Sequence, residues 1–138
     1  MSRLVLDCSV AMSWCFEDEA DAYSDGVLST LPAAEALVPA IWPLEVVNVL
    51  VAAERRRRLS EADSARFVEL LGGLPIFVED LPFARAAGPV LGLARRVGLS
   101  SYDAAYLELA MRSGLPLATR DDRLRRAARA CGTALFGA

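Results

Sequence analysis

The segment LVLDCS at residues 4–9 decides how the rest of the chain is interpreted. Three consecutive apolar residues are typical of a short strand buried on both faces, and this strand ends at an acidic residue, Asp7. Further short apolar segments alternate with longer helical patterns along the chain. Because parallel strands are joined by helices, this alternation predicts an α/β fold whose mainly parallel sheet is covered on both faces.

Both kinds of element can be placed from the pattern. Pro43 suits the first turn of a helix, and Ser60 with Asp63 has the spacing of a capping box. Strands are predicted at residues 3–7, 36–39, 75–79, 115–119 and 133–136. Helices are predicted at about residues 9–16, 19–31, 43–58, 60–71, 83–97, 102–113 and 122–130.

The length and composition predict one globular domain over residues 1–138. Hydrophobic residues make up 54% of the chain, which is enough to form a core. No apolar run approaches the ~18 residues that span a bilayer, and no export signal opens the sequence, so we expect no membrane association. Cys8, Cys15 and Cys131 form no CxxC pair and leave an odd thiol under any pairing, which favours a reducing cytoplasm.

The chain contains no histidine and no lysine. The absence of histidine excludes Ser-His-Asp and Cys-His catalysis, His-ligated zinc, and ribonucleases in which histidine activates the 2′-OH of RNA. All 15 basic residues are arginines, with a block at residues 55–58 and a cluster at residues 120–129, and the net charge is −3. Arginine suits phosphate or carboxylate, but solvated helix faces explain these residues equally well.

Four acidic residues occupy unusual positions in the pattern. Asp7 and Asp121 follow predicted strands, Asp103 lies in the first turn of a predicted helix, and Glu45 interrupts an apolar helix. The carboxyl ends of parallel strands and the first turns of helices can converge on one crevice. Carboxylates that gather without His or Cys are ligands for a hard divalent cation, which indicates phosphate chemistry.

Three of these acids also have a structural interpretation. Asp7 can cap the helix that follows it, and Asp103 can close a capping box with Ser100. One of Asp121 and Asp122 is expected to cap the last helix. Asp122 lies directly before that helix and is the better cap, which leaves Asp121 for another role.

Glu45 is harder to explain as a structural residue. Its helix neighbours three and four positions away are Ile41, Trp42, Asn48 and Val49, and no arginine lies within one turn of it. Because burying an unpaired carboxylate costs several kcal/mol, Glu45 needs partners, and a metal shared with the other acids would supply one. Asn48 lies on the same helix face as Glu45 and is a candidate for orienting a ligand or a water molecule.

Four segments match, in order and in spacing, the motifs of a known family. They are LVLDCS at 4–9, a strand–Asp–x–Ser opening; EVVNVL at 45–50, an E-x-x-N-x-L helix; SYDAAYLELA at 101–110; and LATRDDRL at 117–124. On these segments the chain resembles the PIN domain family, and in particular the VapC toxins of VapBC toxin–antitoxin pairs. The resemblance covers essentially the whole chain, and each motif is weak when it is taken alone.

The resemblance implies a single PIN domain with the PIN-like three-layer α/β/α sandwich. It implies Mg²⁺-dependent cleavage of RNA, with Mn²⁺ able to substitute, by a cytoplasmic homodimeric toxin that binds a small antitoxin protein. Asp122 remains open as an alternative to the fourth acid. The implied catalytic and metal-binding residues are Asp7, Glu45, Asp103 and Asp121, with Ser9 and Thr119 as polar supports.

A partner surface is also expected. An anionic pocket attracts a guanidinium, which can bridge two carboxylates, so we expect the antitoxin to insert a basic side chain at the acidic site. Several apolar helix positions exceed what one small core needs and are predicted to be exposed. They include Leu28, Val46, Val49 and Leu50.

Other functions remain open. A housekeeping RNA-processing nuclease, or a non-catalytic RNA- or protein-binding module, would carry the same segments. A haloacid-dehalogenase-like phosphatase would need a second Asp where Ser9 stands. A response-regulator receiver would need a lysine, which this chain lacks.

Overall fold

A computed structural model describes residues 2–137, so both ends of the predicted 1–138 domain lie outside the described residues. All strand pairs in its four-stranded sheet are parallel, and the strand order is β3-β2-β1-β4. The α/β class and the parallel sheet are therefore confirmed. The strands are β1 (Ser2–Leu6), β2 (Ala34–Pro39), β3 (Ile76–Glu79) and β4 (Leu117–Ala118).

Helices fill the connections between the strands. The α-helices are α1 (Cys8–Ser13), α2 (Ala22–Thr30), α3 (Trp42–Arg55), α4 (Glu61–Gly72), α5 (Phe83–Arg85), α6 (Leu91–Val97), α7 (Ser101–Ser113) and α8 (Asp122–Ala130). A 3₁₀ turn at Glu17–Glu19 and a π-helical turn at Ala86–Val90 complete the set in the described residues. No helix within residues 2–137 is both long enough and apolar enough to cross a bilayer.

The strand order explains the layers. β1, β2 and β3 lie side by side in chain order, and the last connection returns to place β4 on the other side of β1. Because crossovers between parallel strands are almost always right-handed, this reversal moves the intervening helices to the opposite face of the sheet. Helix α7 packs against β1, β2 and β4, with α6 and α8 against it, and α1 packs against α2 and α3. The three-layer α/β/α sandwich is thus confirmed.

The core lies around β1 and α7. Leu4, Val5 and Leu6 of β1 are completely buried, as are Tyr106 and Leu107 of α7. Burial of such side chains contributes about 1.5–3 kcal/mol each, so these two elements anchor the centre of the sandwich.

The reversal of strand order also forms a crevice at the carboxyl edge of the sheet. β1 has β2 on one side and β4 on the other, and chain connections leave β1 and β4 in different directions. This is the switch point at which open α/β sheets bind ligands. Asp7 follows β1 and donates its backbone N–H to the Ala118 carbonyl of β4 at 2.9 Å. Residues 119–121 follow β4 and therefore lie beside Asp7.

Two predicted elements differ from the structure. Residues 133–136 form only an isolated bridge, between Leu117 and Leu135, because β4 is two residues long and offers little backbone to pair with. The predicted helix at 83–97 is divided by the π-helical turn, which contains Pro89. Proline has no N–H to donate within a helix and its ring crowds the preceding turn, so the α-helical bonding is interrupted there.

The helix predicted to run to residue 58 ends at Arg55. The chain leaves the helical conformation two residues later, since Arg57 has a φ of 58°, in the left-handed region. An L-residue in that conformation cannot continue a right-handed helix, which fixes the end of α3. The capping box of Ser60 and Asp63 is confirmed at the start of α4.

Candidate active site

Asp7 is held at the end of β1 by two hydroxyl groups. Its Oδ2 accepts hydrogen bonds from Thr119 Oγ1 at 2.6 Å and from Ser9 Oγ at 2.7 Å, and the residue is 6% exposed. Although Asp7 occupies the N-cap position of α1, its side chain makes no capping bond. The side chain is therefore held by one hydroxyl of its own helix and one of the loop after β4, and it accepts from no backbone N–H group at the start of α1.

Asp121 is the N-cap of α8. Its Oδ1 accepts from the backbone N–H groups of Arg123 at 2.8 Å and Leu124 at 3.1 Å. The expectation that Asp122 is the cap was wrong: Asp122 is the first residue of the helix and is exposed. An N-cap carboxylate accepts from the backbone N–H groups two and three positions later, and the bonds to Arg123 and Leu124 therefore identify Asp121 as the cap.

Thr119 connects the two aspartates. Its buried hydroxyl donates to Asp7 and accepts from the backbone N–H of Asp121 at 3.1 Å. Ser9 makes a similar link, since its hydroxyl donates to Asp7 and accepts from the Arg120 N–H at 3.2 Å. The structure therefore places both predicted supports against Asp7.

Asp103 enters the crevice from the first turn of α7. Ser100 caps that helix, and its Oγ accepts from the Asp103 backbone N–H at 3.1 Å. The Asp103 side chain is half-buried. Burial raises the pKa of its carboxyl group, and the negative charge of Asp121 raises it further, while Ser100 and Arg123 act in the opposite direction.

Glu45 lies in the first turn of α3 and is also half-buried. Its Oε1 accepts a hydrogen bond from Tyr106 Oη at 2.5 Å. The same tyrosine oxygen accepts from the Cys8 backbone N–H at 3.3 Å. Sequence reasoning assigned no role to Tyr106, although its position three residues after Asp103 puts both side chains on one helix face.

The four acids share one electrostatic environment. Burial raises the pKa of Asp7, its bonds to Thr119 and Ser9 lower it, and the charges of Asp103 and Asp121 raise it. Burial likewise raises the pKa of Glu45, against the effect of the Tyr106 hydrogen bond, and Asp7 and Asp103 add to the rise. The hydrogen bonds through Thr119 and Tyr106 join the segments that carry these acids, and Asp103 lies on the same helix as Tyr106.

Cys8 is unsuited to nucleophilic chemistry in this crevice. Burial, Glu45 and Asp7 raise the pKa of its thiol to about 12. Since the thiolate is the reactive form of cysteine, the side chain stays protonated and inert near neutral pH.

The donor chemistry of the crevice fits a divalent cation. Carboxylate oxygens are the preferred ligands of Mg²⁺ and Mn²⁺, and a cation would offset both the burial and the mutual repulsion that raise these pKa values. Within residues 2–137, however, no three His, Cys, Asp or Glu side chains are arranged to ligate a single ion. The structure thus shows the gathering of the acids and not a finished coordination sphere.

Arginines surround the loop after β4 and are engaged with protein groups. Arg120 pairs with Asp21 at 2.8 Å, and Arg123 donates to the Gly98 carbonyl at 3.1 Å. Arg125 donates to the Thr119 carbonyl at 2.8 Å and stacks over Tyr23. These contacts hold the loop that carries Thr119 and Asp121.

An apolar groove of about 600 Å³ adjoins the acidic crevice, with Glu45 in its lining. Leu44, Val47 and Tyr102 line it and are 67%, 50% and 58% exposed. Asn48 is exposed in the same groove and makes no hydrogen bond to any of the four acids in the described part of the chain. The predicted apolar surface was misplaced: Val46 and Leu50 are buried, and Leu28 and Val49 are partly buried. The exposed apolar side chains of α3 are Leu44 and Val47 instead.

A PIN-domain family model matches residues 4–130. The chain therefore belongs to the PIN domain family, whose members are generally nucleases. No curated protein sequence shows significant similarity to the chain.

Solved structures share the fold. PAE2754 from Pyrobaculum aerophilum superposes with a TM-score of 0.70 at 24% identity, over 91% of this chain and 79% of that one. A toxin–antitoxin complex from Klebsiella pneumoniae gives 0.61 at 18% identity, over 86% of each chain. VapBC2 from Rickettsia felis, bound to a promoter DNA fragment, gives 0.66 at 12% identity, over 96% of each chain.

Proposed function

We propose that this chain is a Mg²⁺-dependent endoribonuclease, with Mn²⁺ able to substitute, and the toxin of a type II toxin–antitoxin pair. The observation that carries the proposal is the hydrogen-bond linkage of the acid-bearing segments at the switch point of the sheet: Thr119 joins Asp7 to the segment of Asp121, and Tyr106 joins Glu45 to the helix that carries Asp103. The absence of histidine and the protonated state of Cys8 argue against imidazole and thiolate catalysis, and so favour metal-assisted hydrolysis. Membership of a family of nucleases supports the same reaction class.

The proposed metal ligands are Asp7, Glu45, Asp103 and Asp121. When it is bound, a divalent cation polarises the scissile phosphate and lowers the pKa of a water molecule that it holds. Thr119 and Ser9 hold the Asp7 carboxylate in place through its Oδ2. Asp121 Oδ1 accepts hydrogen bonds from the first N–H groups of α8, so the position of that helix sets the orientation of the carboxylate. Asn48 and Asp122 are both exposed, and contact with substrate or solvent is their expected role.

Attack by water predicts the product ends. Since no histidine is present to activate the RNA 2′-OH, the products should carry a 5′-phosphate and a 3′-hydroxyl. Exposed arginines near the crevice would hold flanking phosphates without reading the sequence.

The proposed partners are a second copy of the chain and a small antitoxin, acting in the cytoplasm. Two of the structural neighbours are toxin–antitoxin proteins, which supports an antitoxin partner. A guanidinium from that partner would neutralise the acidic crevice in the absence of metal. The exposed groove beside Glu45 offers apolar surface for a protein contact.

The decisive test combines metal dependence with product chemistry. Purified protein is incubated with RNA in EDTA and with restored Mg²⁺ or Mn²⁺, beside an Asp7→Asn, Asp103→Asn double variant. Cleavage that requires metal, is lost in the variant and leaves 5′-phosphate ends supports the proposal. Cleavage in EDTA by the double variant, or products with 2′,3′-cyclic phosphate ends, would contradict it.

The biological role needs a separate test. Expression of the chain alone should slow growth, and co-expression of the small protein encoded beside it should restore growth. A chain that cleaves RNA with metal but is harmless when overproduced, and binds no neighbouring gene product, is better explained as a housekeeping nuclease. A chain that binds RNA without cleaving it under any metal condition is a non-catalytic module.

A further inference from the structure

Tyr106 joins three of the segments that build the crevice. Its side chain is completely buried in the core, on α7. Its hydroxyl group donates to Glu45 on α3 and accepts from the backbone N–H of Cys8, the residue after Asp7. One buried oxygen atom therefore fixes the distance between the α3 and β1 sides of the site.

The direction of these bonds is determined by chemistry. A backbone N–H can only donate, so the tyrosine oxygen is the acceptor from Cys8 at 3.3 Å. The single phenolic proton is then directed to Glu45 Oε1 at 2.5 Å. One carboxylate oxygen of Glu45 is thereby tied to the core, and Oε2 remains for another partner.

Glu45 depends on this contact more than Asp7 and Asp121 depend on any one of theirs. Asp7 is held by Ser9 and Thr119, and Asp121 by the start of α8. A glutamate has one more rotatable bond than an aspartate, and therefore loses more side-chain entropy when its carboxylate is fixed. Tyr106 makes the one side-chain hydrogen bond that Glu45 receives within residues 2–137.

We propose that Tyr106 is a positioning residue that acts through Glu45 and sets the affinity of the crevice for a divalent cation. The inference rests on the proposed function, because it treats Glu45 as a metal ligand. Residues that orient metal-binding carboxylates typically change metal affinity or activity by ~10–100-fold. Tyr106 is itself too deeply buried to contact RNA.

The first test is Tyr106→Phe, which removes one oxygen atom and keeps the ring. Its dissociation constant for Mn²⁺, measured by calorimetry, should rise roughly 10–100-fold. Tyr23→Phe is the matched control, because Tyr23 also donates its hydroxyl to a protein oxygen, the Phe136 carbonyl at 2.8 Å, and should bind Mn²⁺ like the parent. A Tyr106→Phe variant that melts at a lower temperature but binds Mn²⁺ normally would show a purely structural role and overturn the proposal.

A double-mutant cycle tests whether Tyr106 acts through Glu45. Glu45→Gln removes the charge, and its affinity for Mn²⁺ should not fall further when Tyr106→Phe is added. An equal loss in both backgrounds would show that Tyr106 acts by another route, which overturns the proposal.

A third measurement does not require the Tyr106 variant to fold. The chain has three tyrosines, and 3-fluorotyrosine labelling gives each a ¹⁹F signal that Tyr23→Phe and Tyr102→Phe assign. Mg²⁺ should shift the Tyr106 signal and leave that of Tyr23 in place. Mg²⁺ binding without a shift at Tyr106 overturns this inference alone, whereas a parent protein that binds neither Mg²⁺ nor Mn²⁺ overturns the proposed function as well.

Discussion

Two groups of acidic side chains lie at different ends of α7, and only one of them is neutralised. Glu79, at the end of β3, and Glu108, on α7, both pair with Arg112, at 2.6 Å and 3.0 Å. Arg85 lies 3.6 Å from Glu79. The two bonds raise the pKa of Arg112, although burial acts in the opposite direction.

The acidic side chains of the crevice are the group whose charges are not neutralised by arginine. Within residues 2–137, Asp7, Glu45, Asp103 and Asp121 form no salt bridge with any arginine. The Glu79–Glu108 cluster holds α7 against the sheet, and its charges are balanced inside the protein. The crevice retains its charge, which is expected of a site that receives its counter-charge from a ligand. Charge balance, and not the mere presence of acids, separates the structural cluster from the candidate site.

The largest expected difference between the two groups is in catalysis. Asp103→Asn should lower the rate of RNA cleavage by about 10³-fold, because metal-assisted stabilisation supplies several kcal/mol of the barrier reduction. Glu108→Gln makes the same change of charge on the same helix and should leave the rate nearly unchanged. Initial rates with a fluorescent RNA and saturating Mg²⁺ measure both, and equal losses in the two variants would remove the distinction.

Metal should stabilise the protein through the crevice alone. At a Mg²⁺ concentration of about 100 times the dissociation constant, mass action should add about 2.7 kcal/mol to the free energy of unfolding. EDTA should abolish this increase in the free energy of unfolding. Mg²⁺ should still stabilise the Glu108→Gln variant, but it should not stabilise Asp103→Asn. Thermal melts with and without Mg²⁺ test this, and a gain that survives in Asp103→Asn would place the metal elsewhere.

Without metal, Asp103→Asn should be the more stable of the two variants, and Glu108→Gln the less stable. Glu108→Gln removes the charge of an ion pair that is partly screened by solvent, and should cost about 1 kcal/mol. Asp103→Asn relieves repulsion from Asp121 and should leave the melting temperature of the metal-free protein unchanged or higher. Chemical denaturation in EDTA checks both values. A clear loss of stability in Asp103→Asn would identify Asp103 as a structural residue of the α7 N-terminus.

The smallest effect is expected in the pH dependence of the metal-free protein. The raised pKa values of Asp7 and Asp103 mean that the folded state binds protons more tightly than the unfolded chain, whose aspartates titrate near 3.8. Stability should therefore increase as the pH falls from neutrality towards that value. Asp21 and Asp63 have lowered pKa values in the folded state. Their contribution to stability is therefore lost only when the pH falls below the value of 3.8 at which unfolded aspartates titrate. In EDTA, the increase in melting temperature as the pH falls should be smaller for Asp103→Asn than for the parent.

Some features of the site follow from short segments of sequence. The apolar run before Asp7 predicted a buried strand, and Ser100 was correctly expected to cap α7. These features depend on residues within about one helical turn, so the local pattern contains the required information. The absence of histidine likewise limits the chemistry through composition alone.

Errors arose where a local pattern fits two arrangements equally well. Asp121 and Asp122 are adjacent, and the extended backbone of Asp121, whose carboxylate accepts from the first N–H groups of α8, makes it the cap. Val46 and Val47 are also adjacent, and the packing of α3 decides that the first is buried and the second exposed. A shift of one residue rotates a helical position by about 100°, which is enough to exchange core and surface.

The sequence by itself determined the residue types of the candidate site and the class of the fold. The tertiary structure decided which segments meet: β4 lies beside β1, so that Thr119 reaches Asp7 across 112 positions of sequence, and Tyr106 reaches Glu45 across 61. The physical reason is that local signals act through backbone conformation over a few residues. Contacts between distant segments are selected by how all the apolar faces pack at once, which no single segment encodes.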